Sequence, residues 1–432
     1  MKPLWSESAQ IARRDELRGE RKTEALIVGG GLAGLLCAYW LREKGVDYIL
    51  AEGGRIGAGV SAKTTAKITS QHGLIYSALT KSLGDEKARQ YLLANEAALQ
   101  KYRELCRDWD CDFEEKPAFV YSTDDRRKIE KEVETVNKLG GKAEFTAETP
   151  LPVKIAGAVK FANQAQFHPL KFIRHLAQGL NIYENTFIRR IEGRAAFTEQ
   201  AKISAGRIVI ATHFPFLRFS GGYFVKMYQH RSYALALSHA QDVDGMWVDE
   251  KPDGLSFRNY QGLLILGGGD HRTGKQGGGW RELRDFAAKN YPAAEERFYW
   301  ATQDCMTLDG MPYIGRLAVS APRLYAATGF NKWGMTSSML SGMILSDLLC
   351  GRENEFAGLF SPRRFRPNKQ FFLNGLEAAT NLLKPSGRRC THLGCALKWN
   401  KEQRSWDCPC HGSRFGEEGR LLENPAVKGA KV

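Results

Sequence analysis

The sequence predicts a mixed α/β (α+β) fold, and three observations support that class. Near the N-terminus, residues 23–52 hold a short apolar run, a glycine-rich turn, a helical stretch and a second apolar run. In the middle of the chain, residues 223–240 and 262–268 alternate apolar and polar side chains, which is typical of an antiparallel sheet. Towards the end, cysteines and histidines crowd between residues 390 and 411. With 432 residues, the chain is long enough for two or three domains.

The first stretch is a strand–turn–helix–strand unit that ends on an acid. Residues 25–28 have the length and composition of a buried parallel strand, and Glu52 ends the second strand. In the GxGxxG between them, Gly29 permits the tight turn, Gly31 lets backbone approach a pyrophosphate, and Gly34 lets helix and strand pack closely. The pyrophosphate would bind at the helix N-terminus, and the acid would take a ribose hydroxyl. This unit predicts a Rossmann-like dinucleotide-binding domain.

The loop after Glu52 indicates which dinucleotide is bound. Residues 53–67 interleave glycines, hydroxyls and cations, so the loop can lie along a dinucleotide and hydrogen-bond its phosphates and ring edges. Directly after an acid-tipped strand, this pattern favours a flavin over a nicotinamide. Residues 207–212 then predict a buried strand, and residues 324–349 a strand, a glycine turn and a helix whose N-terminus could face a ring oxygen. The candidate cofactor-binding residues of these segments are Gly29, Gly31, Gly34, Glu52, Arg55, Thr64, Thr65, Ala211, Thr212, Gly329, Gly334, Met335 and Thr336.

The remaining segments are predicted from periodicity and breaker residues. Residues 1–22 predict a helical or loose leader, and residues 182–192 a strand. Helices are expected over residues 86–108, 124–139 and 371–383, and a strand over residues 116–121. The glycine-rich residues 267–279 fit either a binding loop or a mobile surface connection.

Composition narrows the class of protein. The net charge is +14, and residues 351–432 hold fifteen Lys and Arg against eight Asp and Glu, a net +7. This excess could steer an acidic electron-acceptor protein to the C-terminal end, or could simply be a solvated basic surface. No nucleic-acid-binding motif accompanies the charge, so no nucleic acid is expected. No run is long and apolar enough to span a membrane, and no secretory signal is recognised, so we expect a cytoplasmic protein.

Residues 25–52, 207–212 and 304–349 together resemble the D-amino-acid-oxidase-type FAD-dependent oxidoreductases. The resemblance covers roughly residues 20–350. It implies bound FAD, an FAD domain built from separated segments, and an antiparallel sheet over the flavin ring. It also implies hydride removal from a carbon next to an amine nitrogen. The chain carries no second GxGxxG after a strand, which favours electrons from a bound organic substrate over a nicotinamide.

The same resemblance suggests roles for three further residues. Several members of the family hold a substrate carboxylate with an arginine, for which Arg258 is the first candidate and Arg272 the second. For both, a surface or salt-bridged arginine is the alternative. Cys305 lies in a segment that resembles the one to which monomeric sarcosine oxidase attaches its flavin covalently. A small buried thiol is the other interpretation of Cys305.

Residues 389–415 resemble the Rieske iron–sulfur proteins, through Cys390-x-His392 and, fifteen residues later, Cys408-x-x-His411. The resemblance implies a [2Fe-2S] cluster with Cys390 and Cys408 on one iron and His392 and His411 on the other. It further implies a disulfide between Cys395 and Cys410, and a hydrogen bond from Ser413 to a bridging sulfide. Zinc is the rival metal, but zinc sites favour CxxC pairs, which this segment lacks.

The segment departs from the Rieske pattern in one respect. Rieske domains normally place several strands before the first ligand loop, but here only residues 385–389 separate the helical residues 381–384 from Cys390, so most of the supporting base sheet is expected to be absent. Three outcomes then stay open: the cluster leans on the flavoprotein body, it is more exposed to solvent, or it fails to assemble.

These predictions combine into a domain plan and a function. The plan has a leader (1–22), an FAD-dependent oxidoreductase (23–360), a linker and helix (361–384) and a small β-rich Rieske module (385–432). FAD-binding parts are expected at about 23–75, 155–215 and 303–350, and a substrate domain at about 76–154 and 216–302. The expected function is oxidation of an amine or amino-acid-like substrate, with electrons leaving singly through the cluster to an external acceptor. The alternatives are an oxidase that uses dioxygen beside a vestigial cluster, and a non-catalytic redox sensor or electron-transfer module.

Overall fold

The computed structural model describes residues 3–217 and 220–432. Residues 1 and 2 fall in the predicted leader and residues 218 and 219 in the predicted substrate domain, so the predictions for these four positions lie outside the described residues.

In chain order the strands are β1 (Gly19–Val28), β2 (Tyr48–Ala51), β3 (Lys67–Ile68), β4 (Glu114–Ser122), β5 (Glu144–Thr146), β6 (Gly157–Gln166), β7 (Ile182–Tyr183), β8 (Arg190–Glu192), β9 (Ala195–Phe197), β10 (Ala201–Ile210), β11 (Met227–Ser238), β12 (Met246–Asp249), β13 (Ser256–Tyr260), β14 (Leu263–Arg272), β15 (Glu295–Thr307), β16 (Tyr313–Ala318), β17 (Ala321–Thr328), β18 (Lys398–Asn400), β19 (Ser405–Asp407), β20 (Arg414–Phe415) and β21 (Leu421–Glu423). The α-helices are α1 (Trp5–Ser8), α2 (Leu32–Glu43), α3 (Ile75–Leu83), α4 (Asp85–Cys106), α5 (Arg126–Lys138), α6 (Pro169–Leu176), α7 (Tyr223–Lys226), α8 (Gly279–Asn290), α9 (Gly334–Leu349), α10 (Ala357–Phe360) and α11 (Lys369–Leu383).

The first sheet carries the dinucleotide unit and confirms the predicted α/β class. Its order is β16-β17-β10-β1-β2-β7, with β8 and β9 attached beside β10. Strand β1 pairs in parallel with β10 on one side and β2 on the other, so Val28 lies level with Ile210 and Ala51. The apolar second half of β1 is fully buried, as expected for a central parallel strand. Parallel pairing brings the carboxyl ends of β1, β2 and β10 to one edge of the sheet.

The second sheet has nine strands and lies over that edge. Its order is β15-β11-β14-β13-β12-β4-β6-β3, with β5 beside β6, and every recorded pair except β12–β4 is antiparallel. Strand β6 falls inside the residues predicted as an FAD-binding part, but it pairs with β4 in this sheet. Strand β14 runs on to Arg272, so the glycines from 267 onward begin as paired strand and not as a mobile connection. A Cβ on Gly268 would approach Leu255 to 2.7 Å, which explains why bare backbone is needed there.

The start of the N-terminal segment, α1, packs on the body of the protein, whereas residues 9–18 form neither helix nor strand. Trp5 is fully buried, and its indole Nε1 donates a hydrogen bond to the carbonyl oxygen of Thr64 at 2.7 Å. Its ring meets those of His168 and Tyr260 edge-on, with centroids 5.0 and 4.8 Å apart. Residues 19–22 already belong to β1. The predicted single strand over residues 182–192 is instead two short strands, β7 and β8.

A third sheet, β18-β19-β20-β21, forms the C-terminal module. Its strands are only two or three residues long and all its pairs are antiparallel. All four strands follow Cys390, so they are not the strands that Rieske domains place before the first ligand loop; between α11 and Cys390 the described residues form no strand. Among the described residues, no helix combines the length and apolar content that crossing a bilayer requires.

Candidate active site and metal centre

One large cavity begins at the glycine turn after β1 and ends against the nine-stranded sheet. Its volume is about 1010 Å³, at the upper end of the range for small-molecule and cofactor sites. Eleven of the predicted cofactor-binding residues line it: Gly29, Gly31, Glu52, Arg55, Thr64, Thr65, Ala211, Thr212, Gly329, Gly334 and Met335. These residues come from chain segments up to 306 positions apart (335 − 29), and parallel pairing of β1, β2, β10 and β17 gathers most of them.

The glycine turn is shaped by the close approach of backbone to backbone. Gly29 has φ +111°, and a Cβ there would come within 2.6 Å of the carbonyl oxygen of Ala211. A Cβ on Gly34 would overlap the carbonyl oxygen of Gly29, because α2 packs directly on the turn. Gly31 is different: it precedes the first residue of α2, and the nearest atom to a Cβ there would be the Ser61 hydroxyl at 3.6 Å. The turn thus leaves open space in front of the helix N-terminus, where an anion binds favourably.

Glu52 closes the turn from the side. Its carboxylate accepts hydrogen bonds from the backbone N–H of Gly30 at 2.6 Å and of Gly54 at 2.8 Å. Burial raises the pKa of Glu52, and these two hydrogen bonds partly oppose the increase. Arg55 is fixed by an ion pair to the buried Glu184 and by donation to the carbonyl oxygen of Ile11 at 2.8 Å. The acid and the arginine are therefore held in place before any ligand binds.

The opposite end of the cavity is a polar face of the second sheet. On β11 the side chains of Tyr228, His230 and Ser232 line the cavity, and on β15 those of Thr302 and Asp304 do so. Strand register sets His230 opposite Asp304 and Ser232 opposite Thr302. Alternation along each strand points every second residue to the same face, which is why these polar groups lie together.

Several polar atoms on this face have no hydrogen-bond partner among the described residues. They are Nδ1 of His230, Oγ of Ser232, Oγ1 of Thr302 and Oδ1 of Asp270. Buried polar groups are nearly always hydrogen-bonded, so atoms left over in a cavity wall mark a place for a polar ligand. Lys332 forms an ion pair with Asp270 at the same face. Desolvation raises the pKa of Asp304 to about 6, while the nearby Lys332 opposes the rise.

The two arginines proposed as substrate-binding residues do not line this cavity. Arg258 is fully buried, and its Nη1 donates to the carbonyl oxygens of Thr65 and Ala66 at 2.7 and 2.9 Å. It therefore holds the loop that carries Thr64 and Thr65. Arg272 donates from Nη1 to Oδ1 of Asn374 at 3.0 Å and lies over the Tyr228 ring. The structure corrects the catalytic assignment of both, because neither guanidinium belongs to the cavity wall.

Three other predicted cofactor residues also lie outside the cavity wall. Gly34 acts through helix packing, as described above. Thr336 points to the buried His72, with its hydroxyl 3.1 Å from Nε2. Cys305 lies in a hydrophobic cluster on the face of β15 opposite to Asp304, and its thiol donates to the carbonyl oxygen of His213 at 3.4 Å. The buried-thiol interpretation of Cys305 therefore fits, and the covalent one does not, because strand alternation turns the sulfur away.

The residues present fit FAD. The turn places backbone N–H groups at the start of α2, where that of Leu32 donates to the Ser61 hydroxyl at 3.1 Å, and Gly31 puts no Cβ in front of them, which suits a pyrophosphate. Gly334 and Met335, at the start of α9, line the same cavity. A cavity long enough to join these two helix N-termini suits a dinucleotide rather than a mononucleotide.

The predicted metal ligands come together in the C-terminal module. Cys390, His392, Cys408 and His411 are all buried. The Cys390 thiol hydrogen-bonds to Cys408, which raises the pKa of Cys390 and lowers that of Cys408. The rings of His392 and His411 stand 5.1 Å apart between centroids and nearly perpendicular. Two thiols and two imidazoles thus face one another in adjacent pairs.

The module fits a [2Fe-2S] cluster of the Rieske type. Both ring nitrogens of His411 are buried and have no hydrogen-bond partner among the described residues, as expected of a metal ligand without its metal. Mixed thiolate and imidazole donors are what such a cluster requires. The sulfur atoms of Cys395, Cys408 and Cys410 lie within 4.8 Å of one another, and all three residues are free thiols. The disulfide between Cys395 and Cys410 therefore stays a prediction. All four ligands are buried, which of the three open outcomes favours a cluster that leans on the flavoprotein body.

The module leans on the second sheet through side chains of β11 and β15. Gln229 on β11 donates to the carbonyl oxygen of His411 at 3.2 Å, and Gln303 on β15 to that of Gly412 at 2.8 Å. Arg231 on β11 forms an ion pair with Glu423 at 3.3 Å. Beyond Glu423, Asn424 donates to the carbonyl oxygen of Phe214 at 2.8 Å. Strands β11 and β15 thus both line the cavity and contact the cluster-binding loop.

The sequence interpretation did not identify the polar face of β11 and β15. Tyr228, His230 and Ser232 alternate within a stretch that was already predicted as a strand, and that alternation was the available signal. Which of the two faces lines a cavity could not be read from it. Asp270 and Lys332 carried no usable sequence signal, since they are single charges in glycine-rich segments.

Comparison with known proteins identifies a family for each of the two parts of the chain. A family profile described as FAD dependent oxidoreductase (DAO) matches residues 24–348, and one described as the Rieske [2Fe-2S] domain matches residues 379–432. A protein of Bacillus subtilis (strain 168), named YhfW and described as a Rieske 2Fe-2S iron-sulfur protein, is 31% identical over 490 aligned positions. That match covers 99% of this chain and 96% of the relative.

Solved structures share the fold of the larger part. L-proline dehydrogenase from P. horikoshii superposes with a TM-score of 0.66 at 17% identity, over 80% of this chain and 98% of that one. Glycine oxidase from Geobacillus kaustophilus superposes with a TM-score of 0.66 at 20% identity, over 80% of this chain and 100% of that one. At these identities the likeness shows the fold.

Proposed function

From the premise that this chain belongs to the FAD dependent oxidoreductase (DAO) family and carries a Rieske [2Fe-2S] domain, we propose that it oxidises an amine or amino-acid-like substrate. Electrons leave through the cluster to an external one-electron acceptor. Bound FAD supplies a hydride acceptor, and the cluster supplies a one-electron carrier. An acidic carrier protein would complement the C-terminal cations, and we expect it in the same compartment, which the sequence predicts to be the cytoplasm.

One observation carries the proposal: the metal module forms part of the wall of the cavity. Residues 420–424, 426 and 427 line it together with the glycine turn and the polar sheet face. Phe214, which accepts a hydrogen bond from Asn424, lies with its ring centroid 6.5 Å from His392 and 6.3 Å from His411. A separate module with an unrelated task would not need to share this wall. The arrangement therefore supports a joint function of the two cofactor sites.

The polar sheet face supports an amine substrate. An ammonium group must lose a proton before hydride can leave the neighbouring carbon. The Asp304 carboxylate faces the cavity, and its pKa of about 6 keeps it largely ionised at pH 7, so it can accept that proton. The unpartnered groups on Ser232 and Thr302 can then orient the remaining polar atoms of the substrate. These groups also weigh against a sensor without a specific ligand, because a sensor would not need them.

Anaerobic titration with a panel of amines and amino acids tests the proposal. A substrate should bleach the flavin absorbance, and the reduced-cluster EPR signal should follow. Replacement of Asp304 by Asn should lower the rate of bleaching by about 10²–10⁴-fold. In the native protein the rate should decline as pH falls through about 6, and the replacement should remove this decline. Protonation of the carboxyl explains that decline, since a protonated acid cannot act as the base.

Two results would contradict the proposal. Rapid peroxide release with full turnover after the cluster has been removed would indicate the oxidase with a vestigial cluster. Reversible reduction of both centres without bleaching by any compound of the panel would indicate the redox sensor. Asp253→Asn is the matched control for Asp304→Asn, because Asp253 is an exposed acid that does not belong to the cavity wall.

A further inference from the structure

Helix α11 exposes an unusual amount of apolar surface beside the metal module. Ten large hydrophobic side chains are exposed in the part of the chain that the structure describes, and six of them lie between residues 365 and 383. The most exposed on the helix are Leu383 (83%), Phe372 (70%) and Leu376 (66%). Single exposed hydrophobic residues are ordinary, but a contiguous group marks an interaction surface.

The helical spacing places these side chains along one stripe. Phe372, Leu376 and Leu383 occupy positions i, i+4 and i+11, which share a face of an α-helix. The opposite face is fixed to the protein through two buried asparagines. Asn374 donates to the carbonyl oxygen of Val225 at 3.1 Å, and the carbonyl oxygen of Asn381 accepts from the N–H of Ala396 at 2.8 Å. The stripe is therefore held outward by a rigid attachment.

Positive charges flank the apolar stripe of α11 at both of its ends. Exposed cations lie at both ends, with Arg363 and Lys369 near its start and Lys384 and Arg388 near its end. Glu377 is the sole acid in the sequence between residues 356 and 401, and it is paired with Lys275 at 2.7 Å. The surface thus offers an apolar centre with positive ends and no free carboxylate.

We propose that this face of α11 binds the surface of an anionic lipid bilayer. The apolar side chains would enter the boundary between headgroups and acyl chains, and the terminal cations would reach lipid phosphates. The helix would lie in the plane of the membrane, as interfacial amphipathic helices do. The carbonyl oxygen of Glu377 lies 3.9 Å from the Cys410 sulfur, so binding in this way would bring the metal module close to the lipid surface.

The charges around the stripe favour a lipid bilayer over two other candidate binding partners, a second copy of this chain and an acidic protein. A second copy of the chain would place cations against cations whether the helices paired parallel or antiparallel, since both ends are positive. An acidic protein would match the ends, but protein interfaces are enriched in aromatic residues and arginine at their centre and not in leucine. A bilayer supplies an apolar layer and anionic headgroups together. The inference does not depend on the substrate or on the redox chemistry.

Co-sedimentation of the full-length holoprotein with vesicles tests the proposal. The native protein should bind vesicles of phosphatidylcholine mixed with phosphatidylglycerol, and raising the salt concentration should weaken this binding. The triple variant Phe372→Ser/Leu376→Ser/Leu383→Ser should bind at least about tenfold more weakly. Each of Lys369→Gln and Lys384→Gln should weaken binding by about fivefold. The control Leu93→Ser/Val319→Ser, which removes two exposed hydrophobic residues elsewhere, should bind like the native protein.

Other results would overturn the proposal. These are equal binding to vesicles of phosphatidylcholine alone, no binding to the anionic vesicles, and binding by the triple variant at native strength. A native dimer that fails to bind vesicles and becomes a monomer in the triple variant would identify the stripe as a contact between copies. The substituted side chains are exposed, and an unchanged flavin spectrum and iron content would show that the variants are folded.

Discussion

The glycine turn and the metal module are both tightly packed, but they are stabilised in opposite ways. At the turn, backbone approaches backbone, and Gly29 and Gly34 leave no room for a single added carbon atom. The module is instead attached through charged side chains in its interface with the second sheet. Arg231 is fully buried there and Arg414 nearly so, and both form ion pairs with Glu423. We therefore expect the turn to be sensitive to volume and the module to be sensitive to charge.

The charge network of the module is extensive for so small a unit. Glu423 also lies 3.6 Å from the ammonium group of Lys63, which belongs to the loop along the cavity. Arg414 donates from Nε to Asp407 at 2.9 Å, and Asp407 accepts from the Ser405 hydroxyl at 2.8 Å. Burying charges costs free energy unless every partner is present, so loss of one member should destabilise the whole contact.

The largest effect is expected at the turn. Gly34→Ala should abolish FAD binding and lower the free energy of unfolding by about 3 kcal/mol or more, because the new Cβ would overlap the Gly29 carbonyl oxygen. Flavin absorbance of the purified variant and urea denaturation measure the two effects. The control Gly358→Ala, where nothing lies within 4 Å of the added carbon, should change stability by less than about 1 kcal/mol. Equal losses in both variants would show that volume at the turn is not what matters.

The second-largest effect is expected for the charge network around Glu423. Glu423→Gln should destabilise the docked module by about 3–5 kcal/mol, because Arg231 and Arg414 would lose their shared counter-charge. Limited proteolysis and loss of iron during dialysis would report the detached module. Glu417→Gln is the control: Glu417 pairs with Arg404 on the surface, and such pairs contribute at most about 1 kcal/mol. If the two variants behave alike, the contrast between turn and module is wrong.

The pKa of Glu423 predicts that the stability contributed by this residue depends on pH. Arg414, Arg231 and Lys63 hold the pKa of Glu423 well below its ordinary value of 4.5, in spite of its desolvation. A carboxyl whose pKa is depressed by folding stabilises the folded state above its unfolded pKa, and this contribution is lost as pH falls towards the folded value. The difference in unfolding free energy between the native protein and Glu423→Gln should thus be full at pH 7 and shrink below about pH 4.5. A difference that stays constant over this range would indicate that charge is not its source.

A smaller loss of stability is expected when Gln229 is replaced, whose side-chain amide joins β11 to the loop that holds His411. Gln229→Leu should cost about 1–3 kcal/mol, because the carbonyl oxygen of His411 and the Nε2 of His213 each lose a hydrogen-bond partner. The rate of iron loss to a chelator should rise while flavin content stays constant. Gln200→Leu, on the exposed turn before β10, is the matched control and should leave that rate unchanged. A variant that loses flavin before iron would contradict the separation of the two regions.

The smallest effect is expected at Cys305. Its thiol faces a hydrophobic cluster, so Cys305→Ala, which buries no hydroxyl, should change stability by less than about 1.5 kcal/mol and should leave FAD content unaltered. Acid precipitation should release FAD from the native protein and from the variant alike. Flavin that stays in the native pellet and leaves that of the variant would show a covalent bond at Cys305.

Some residues could be assigned from the sequence because their partners lie nearby in the chain. The glycines after β1, the acid after β2 and the four metal ligands are recognised by short spacings within motifs of one or two adjacent elements, which is why the sequence alone suggested them. Comparison with known families confirms FAD and the Rieske cluster as the cofactors these patterns predicted.

The tertiary structure decided the rest. Arg258 was proposed to bind substrate but holds a loop, and Cys305 and Asp304 are neighbours on one strand that face opposite sides. Residues 239–294 separate strands β11 and β15 in the chain, a distance of 294 − 238 = 56 residues, and the register of the pair sets which groups meet in the cavity. A local pattern gives the alternation of a strand, but only long-range packing determines which of its two faces borders a ligand, because that depends on what covers the other face.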